Sequence, residues 1–348
     1  MHTNQRFGAG TNLTVNEISH CQAIINGYAE NRMINGDEDG MKKLSVDVVI
    51  PTYKPGEEFE TTLKMLLSQT KQPDHIFVMN TEPAFWKESF QRLDSKIIVT
   101  HIKKEEFDHG GTRSEGAAKS VADILLFMTQ DAVPADCQLI EQLLKYFQRE
   151  KTAAVYARQL PKKGCSPLEA YTRKFNYPEQ SRVKTKADLQ TLGIKTFFCS
   201  NVCAAYRRDI FEERNGFFRP SIFNEDMIYC GGLIQDGYEV CYGADAKVYH
   251  SHNYSPLEQL KRNFDLGVSQ AEHPEIFSGI SSENEGIKMV KDTALHFIKV
   301  KKPWVILSLV IQSGFKFLGY RLGKNYKKLS RKTILKLTCS RNYWLKEE

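Results

Sequence analysis

The sequence has no cysteine pair at metal-ligand spacing. Its eight cysteines are scattered along 348 residues. The nearest two, Cys199 and Cys203, stand in an apolar segment and read as buried, reduced thiols of a cytosolic protein. This argues against a zinc module and a disulfide framework. No charged and then apolar leader opens the chain, so no secretory signal is expected. There is no internal repeat and no nucleic-acid-binding motif. The main apolar run of the C-terminal region, residues 304–311, covers only eight positions, whereas a bilayer-spanning helix wants about twenty.

Composition is otherwise that of a globular protein, 41% hydrophobic and 26% charged, enough for one large or two ordinary domains. The net charge of +6 conceals an asymmetry. Residues 299–348 hold thirteen of the 48 Lys/Arg and two of the 42 acids, which leaves 35 basic against 40 acidic residues elsewhere. A mildly acidic body thus carries a strongly basic tail, a pattern that seeks an anionic partner.

The stretch from Glu106 to Ala132 organises the rest. Phe107-Asp108-His109-Gly110-Gly111 reads as a glycine-bearing loop. Thr112 to Ala122 reads as a short helix with Ala117, Ala118 and Val121 on one face. Ile124 to Thr129 is an apolar strand with Asp131 just beyond it. Backbone N–H groups at a helix start suit an anion. A carboxylate past the carboxyl end of a buried strand lies where open α/β sheets bind ligands. Before this stretch, strands are expected at 46–50, 75–79 and 96–100, with helices at 57–69 and 84–93 between them. After it come a helix at 137–149, an irregular substrate-facing region at 156–196, a strand-like run at 197–206 and a helix at 224–235. Short strands at 238–242 and 246–250 and a helix at 255–270 follow. This alternation implies an α/β fold with a mostly parallel sheet and helices on both faces. Residues 1–40, closed by a breaker at 35–40, read as a disordered or dispensable extension.

The order of six segments carries a family resemblance. They are VVIPTY (48–53), FDHGGTR (107–113), the TQDA ending at 129–132, FFCSNVCAAYRR (197–208), Asn224-Glu225-Asp226-Met227, and HSHNYS (250–255). Together they resemble inverting glycosyltransferases of family 2 with the Rossmann-like GT-A fold, over roughly residues 44–270. In finer detail they resemble bacterial rhamnosyltransferases that use dTDP-β-L-rhamnose. The resemblance implies a catalytic domain over 41–280, with a nucleotide-sugar half (41–155) and an acceptor half (156–280).

It also implies roles for particular residues. Asp131 would hold Mg²⁺ or Mn²⁺ against the donor diphosphate, the usual Asp-x-Asp being reduced to Thr129-Gln130-Asp131; one carboxylate plus phosphate oxygens and waters is adequate for Mg²⁺. His250 and His252, two apart at a strand end and so on one face, supply the second metal ligand, and spacing alone does not choose between them. An imidazole suits Mn²⁺ better than Mg²⁺. Glu225 and Asp226 open a helix, where acids also complement the helix dipole. The resemblance makes Asp226 the base that deprotonates the acceptor, with Glu225 raising its pKa or orienting the acceptor. Arg113 would grip the diphosphate, with Gly110 and Gly111 allowing close approach. Pro51, Thr52, Tyr53, Asn80 and Gln130 would line the donor site, Tyr53 stacking on the base and the Asn80 carbonyl accepting from a pyrimidine N3–H. Arg158, Asn176, Tyr177 and Arg207 are the acceptor-binding candidates.

In the tail, Trp304, Leu307, Ile311, Phe315, Leu318 and Leu322 form a stripe at helical spacing, followed by Lys324, Lys327, Lys328 and Arg331. Residues 281–348 therefore read as a basic amphipathic helical tail, lying on an anionic membrane surface or packed on the catalytic domain. The expected protein is a metal-dependent enzyme, peripheral on the inner face of the cell membrane, transferring L-rhamnose to a lipid-linked saccharide, with no nucleic-acid partner. The rivals are a UDP-hexose donor on the same machinery and an inactive membrane-bound scaffold. A sugar-phosphate nucleotidyltransferase is disfavoured because its Gly-rich loop follows the first strand, not the third.

Overall fold

The computed structural model describes residues 43–280 and 283–345. The expected extension at 1–40 lies outside them. One nine-stranded sheet organises the chain; in spatial order its strands are Ile97–Ile102, His75–Thr81, Val46–Tyr53, Ile124–Met128, Cys203–Arg207, Thr152–Leu160, Glu239–Tyr249 and Val133–Pro134, with Arg182–Lys184 also paired to Glu239–Tyr249.

The first half builds the parallel part. β1 (Val46–Tyr53) leads to α1 (Glu57–Leu67), whose first turn carries three acids that suit the positive end of its dipole. α1 buries Phe59, Leu63 and Leu66 at four- and three-residue steps. β2 (His75–Thr81) and β3 (Ile97–Ile102) extend the sheet outward from β1, and the chain then returns to place β4 (Ile124–Met128) on the other side of β1. The carboxyl ends of β1 and β4 thus flank a topological switch, where a ligand crevice forms. β1 runs through Pro51 rather than stopping there. Its pairing with β4 ends at Val49, so beyond that residue only β2 flanks it and a missing N–H is tolerated.

Several expected elements shift. The helix drawn over 84–93 is a 3₁₀ turn at Pro83–Phe85 and a single turn at Glu88–Gln91. The glycine loop is absorbed into α2 (His109–Ala117), because the Asp108 carboxylate caps it by accepting the Gly111 N–H at 2.6 Å. Of the three residues expected to share a helix face, only Ala117 is in α2, which ends there, and Val121 is 82% exposed.

β5 (Val133–Pro134) and α3 (Leu139–Leu144) follow. β6 (Thr152–Leu160) is a buried central strand, so residues 156–160 belong to the sheet and not to an inserted region. α4 (Pro167–Asn176) and β7 (Arg182–Lys184) come next. The strand expected over 197–206 is a turn followed by β8 (Cys203–Arg207), antiparallel to both β4 and β6. α5 (Glu225–Gln235) precedes β9 (Glu239–Tyr249), a single strand whose register with β6 shifts between Ala157 and Arg158. Two apolar clusters cover the sheet, one around Phe127, Tyr206 and Phe217, the other around Ile50, Leu66 and Leu126.

The C-terminal helices are docked on this body. α6 (Pro256–Glu272) starts with a Ser255/Glu258 capping box. α7 (Glu283–Lys299) leads to α8 (Trp304–Lys324), one unbroken helix of 21 residues. It is long and apolar enough, by length and composition alone, to cross a membrane; a helix tolerates the polar residues that interrupt the eight-residue run in the sequence. α8 crosses α6 backbone to backbone. A Cβ at Gly319 would collide with the Leu260 carbonyl oxygen, and one at Gly323 with that of Phe264. The residues of the predicted stripe face outward, Trp304 and Leu307 each 68% exposed, while Val305 and Leu309 are the buried ones. Leu322 alone of the stripe packs on the cluster that α9 (Arg331–Leu337) and α10 (Arg341–Leu345) form with Phe264.

Candidate active site

The Asp131 loop and the end of β9 are brought together by register. Val133 pairs with Tyr249, so the turn after β4 lies against the residues that follow β9. Asp131 Oδ2 is 3.0 Å from His252 Nε2 and 3.5 Å from His250 Nε2, and the two Nε2 atoms are 3.1 Å apart. Both histidines therefore converge on one carboxylate oxygen, where spacing had left the choice open. Lys162 Nζ stands 3.9 Å from the same oxygen and 2.5 Å from Glu58.

A hydrogen-bond network sets the tautomer of His250. The Gln159 amide N donates to the Tyr177 hydroxyl at 2.6 Å and to Ser200 Oγ at 3.0 Å, and Arg173 donates to the Gln159 amide oxygen. That oxygen can only accept, so His250 Nδ1, 3.0 Å away, carries the proton. Its Nε2 then presents a lone pair toward Asp131. Burial pushes the His250 pKa well down. Burial pushes the Asp131 carboxyl up, but facing His250, the His252 hydrogen bond and Lys162 outweigh this and hold it well below the usual carboxylate range. A carboxylate and two imidazoles aimed at one point, one ring braced from behind, fit a divalent cation.

The second cluster lies at the start of α5. Asn224, left-handed with φ 69°, turns the chain into the helix so that both following carboxylates point inward. Glu225 Oε1 is 3.2 Å from Arg113, and each side chain is 7% exposed. Asn201 braces both acids: its backbone N–H donates to Asp226 at 2.9 Å and its amide to Glu225 at 3.1 Å. Burial raises the Glu225 pKa, but Arg113 overrides it and the group stays ionised. Burial and then the charge of Glu225 push Asp226 up to about 7. Ser200, which accepts from Gln159, is the residue before Asn201. The metal triad and the carboxylate pair are thus two ends of one connected network.

Other expected residues have different surroundings. Arg113 is buried, tied to Glu225 and donating to the His109 carbonyl at 2.9 Å, rather than reaching outward for a diphosphate. The close approach that Gly110 permits is to the protein itself: a Cβ there would sit 2.7 Å from the Phe218 carbonyl oxygen. Asn80 is fully buried. Its carbonyl accepts from the Thr52 hydroxyl at 3.0 Å and its amide bonds the Glu82 carbonyl and His101, so it has no free edge for a pyrimidine. Pro51 pairs with Met79 inside the strand. Tyr53 is exposed, packed edge-on against Phe85 at 5.6 Å, with Lys54 over the Phe85 ring at 4.6 Å. Gln130 clamps the Tyr53 backbone twice, at 2.8 and 3.1 Å, tying the end of β1 to the Asp131 loop.

Among the acceptor candidates, Tyr177 is buried behind Gln159 and cannot touch a substrate. Arg207 lies at the far end of the sheet. β8 runs antiparallel to β4, so Arg207 pairs with Ile124 at the start of that strand, where its guanidinium clips the carbonyls of Phe147, Arg149 and Thr152. Arg158 pairs with Glu179 at 3.0 Å, and Asn176 is exposed at the end of α4. The supporting residues Gln159, Arg173, Ser200 and Asn201 escaped the sequence reading. Only Ser200 and Asn201 had a signal, their place within the FFCSN segment.

The comparisons with known proteins agree with this geometry. Residues 47–214 match the family described as glycosyl transferase family 2. The O-antigen chain rhamnosyltransferase RfbN of Salmonella typhimurium is 40% identical over 308 residues, 86% of this chain and 96% of that protein. This chain belongs to glycosyltransferase family 2. A second relative, the O-antigen chain rhamnosyltransferase WbaN of Salmonella anatum, is 35% identical over 305 residues, again 86% of this chain and 96% of the other. A mannosyltransferase from Pyrobaculum calidifontis, solved with GDP-Man and Mn²⁺, superposes with a TM-score of 0.52 at 14% identity, covering 95% of this chain and 94% of that one. The fold of this family 2 enzyme is GT-A, as its sheet order and crevice indicate.

Proposed function

We propose that this glycosyltransferase moves L-rhamnose from dTDP-β-L-rhamnose to a lipid-linked saccharide with inversion, in the assembly of a cell-surface polysaccharide. The observation that carries the reading is the 40% identity, over nearly the whole of RfbN, to a rhamnosyltransferase of O-antigen chains. The site supplies the chemistry. In an inverting transfer the acceptor oxygen bonds to the anomeric carbon as the bond to the nucleoside diphosphate breaks, and the acceptor loses its proton. Asp226, with a pKa of about 7, takes that proton. Glu225 keeps the pKa there, and Arg113 and Asn201 hold Glu225 in place.

Asp131, His250 and His252 would hold the divalent ion, Mn²⁺ rather than Mg²⁺ on account of two imidazoles. A bound ion supplies charge neutralisation to the departing diphosphate. Lys162 adds a fixed cation beside it. Tyr53 and Phe85, exposed at the end of β1 and beside β2, offer the nucleobase a platform. The outward apolar face of α8 and its basic neighbours Lys301, Lys302, Arg321 and Lys324 suit the anionic cytoplasmic face of the membrane. Because the other face of α8 is locked to α6 through Gly319 and Gly323, the helix lies along the protein and not across the bilayer.

Donor hydrolysis across a panel of nucleotide sugars with Mn²⁺ tests the reading. Turnover of dTDP-rhamnose above all others is expected. Turnover of a UDP-hexose with none of dTDP-rhamnose would overturn the donor assignment.

A further inference from the structure

A cleft of about 280 Å³ opens between the loop that follows β9 and the N-terminal half of α8, with His252, Asn253, Tyr254, Trp304, Ser308 and Gln312 in its walls. We propose that this cleft seats the first sugar of the acceptor, whose lipid leaves along the outer face of α8 into the bilayer; the assignment rests on the transferase reading above.

Four observations converge. The cleft shares His252 with the triad at Asp131, so its occupant stands beside the donor's leaving group. Its volume suits about one or two sugar rings, since pockets for drug-sized ligands begin near 300 Å³. Its chemistry is that of a neutral saccharide: Trp304 offers an aromatic face to C–H groups, and Asn253, Ser308 and Gln312 offer amides and a hydroxyl to sugar hydroxyls. Finally, the cleft does not end in water. Trp304 and Ser308 are exposed on α8 and continue into Leu307 and Ile311, so a polar chamber opens onto an apolar surface. A molecule with a sugar head and a hydrocarbon tail matches both parts; a free sugar or a plain phospholipid matches only one.

The test uses the full chain with photoreactive benzoylphenylalanine at Ser308 or, as a comparison, at Val310 on the outer face of the same helix. The vesicles contain phosphatidylglycerol and phosphatidylethanolamine doped with farnesyl-diphosphate-linked mono- and disaccharides. Irradiation should attach the saccharide-bearing lipid at Ser308 and phospholipid at Val310, read by mass spectrometry. Phospholipid alone at Ser308, or the same adducts at both positions, would overturn the assignment. Ser308→Trp, at an exposed position that cannot disturb the core, should raise KM for the lipid-linked acceptor about tenfold or more while leaving KM for the donor within about twofold. Equal effects on both would also count against the cleft. Nucleotide-sugar turnover by the unsubstituted chain in the same vesicles separates the two failures. Its absence defeats the transferase reading, whereas turnover without a saccharide adduct defeats the cleft alone.

Discussion

Asp131 and Asp226 belong to two hydrogen-bonded clusters joined through the adjacent residues Ser200 and Asn201, and the protein treats them in opposite ways. Asp131 faces two imidazoles and an ammonium group and is kept ionised. Asp226 faces another carboxylate and is pushed up to about 7. Residue type is the same and both are only partly exposed. What differs is the sign of the neighbouring charge, and with it the chemistry available: a permanent anion can hold a cation, while a group poised near neutrality can accept a proton. The division of labour is therefore written in the neighbours, chiefly Glu225 on one side and the Gln159-braced His250 on the other.

The contrast can be broken most severely at the base. Asp226→Asn removes the proton acceptor and should lower kcat by about 10²–10⁴-fold while circular dichroism stays native. Near-normal turnover would hand the role to another group. At the other end, Gln159→Leu touches no ligand but releases His250 Nδ1. Weakening of Mn²⁺ binding by about 10–100-fold in a calorimetric titration is expected; unchanged affinity would reduce Gln159 to a packing element. The mildest test sharpens the comparison. With Asp226 as base, kcat/KM should rise with pH as the carboxyl loses its proton, with its half-rise at about 7. Glu225→Gln removes an anion that holds that pKa up and leaves Arg113 nearby, so the half-rise should move to lower pH. A profile that stays in place would show that Glu225 does not tune the base.

Much of this was legible in the sequence. An apolar run such as 124–128 reads as a buried strand and draws the eye to Asp131 beyond it, whereas the roles of Glu225, Asp226, His250 and His252 came from the family resemblance. What stayed hidden has physical reasons. Arg207 was assigned to the acceptor because βαβ alternation gives no warning that β8 reverses direction, and a reversed strand carries its last residue to the wrong end of the sheet. Asn80 looked like a base reader because a strand-end amide is ordinarily accessible. Here the neighbouring Thr52 hydroxyl and His101 close over it. The Gly110-Gly111 pair looked like a ligand loop because two glycines suggest a turn, whereas the Gly111 N–H donates to the Asp108 carboxylate three residues back and this local cap winds the pair into α2. Gln159 lies in a strand whose neighbours β8 and β9 come from more than forty residues downstream, so its partners could not be inferred from proximity.

The glycine contact between α6 and α8 has a consequence for where catalysis takes place. α6 begins seven residues after Tyr249, four beyond His252, and α8 is seated on it with no side chain between the backbones. A helix mounted so closely has little room to tilt. On the proposed reading, with α8 resting on the lipid headgroups, the height of the reacting centre above the bilayer would be set by the protein, like the fixed clearance of a tool on a bench. A growing glycan would present its newest hydroxyl at a distance that depends on how many sugars precede it, so the mount itself would select among glycan lengths before any pocket reads the sugar.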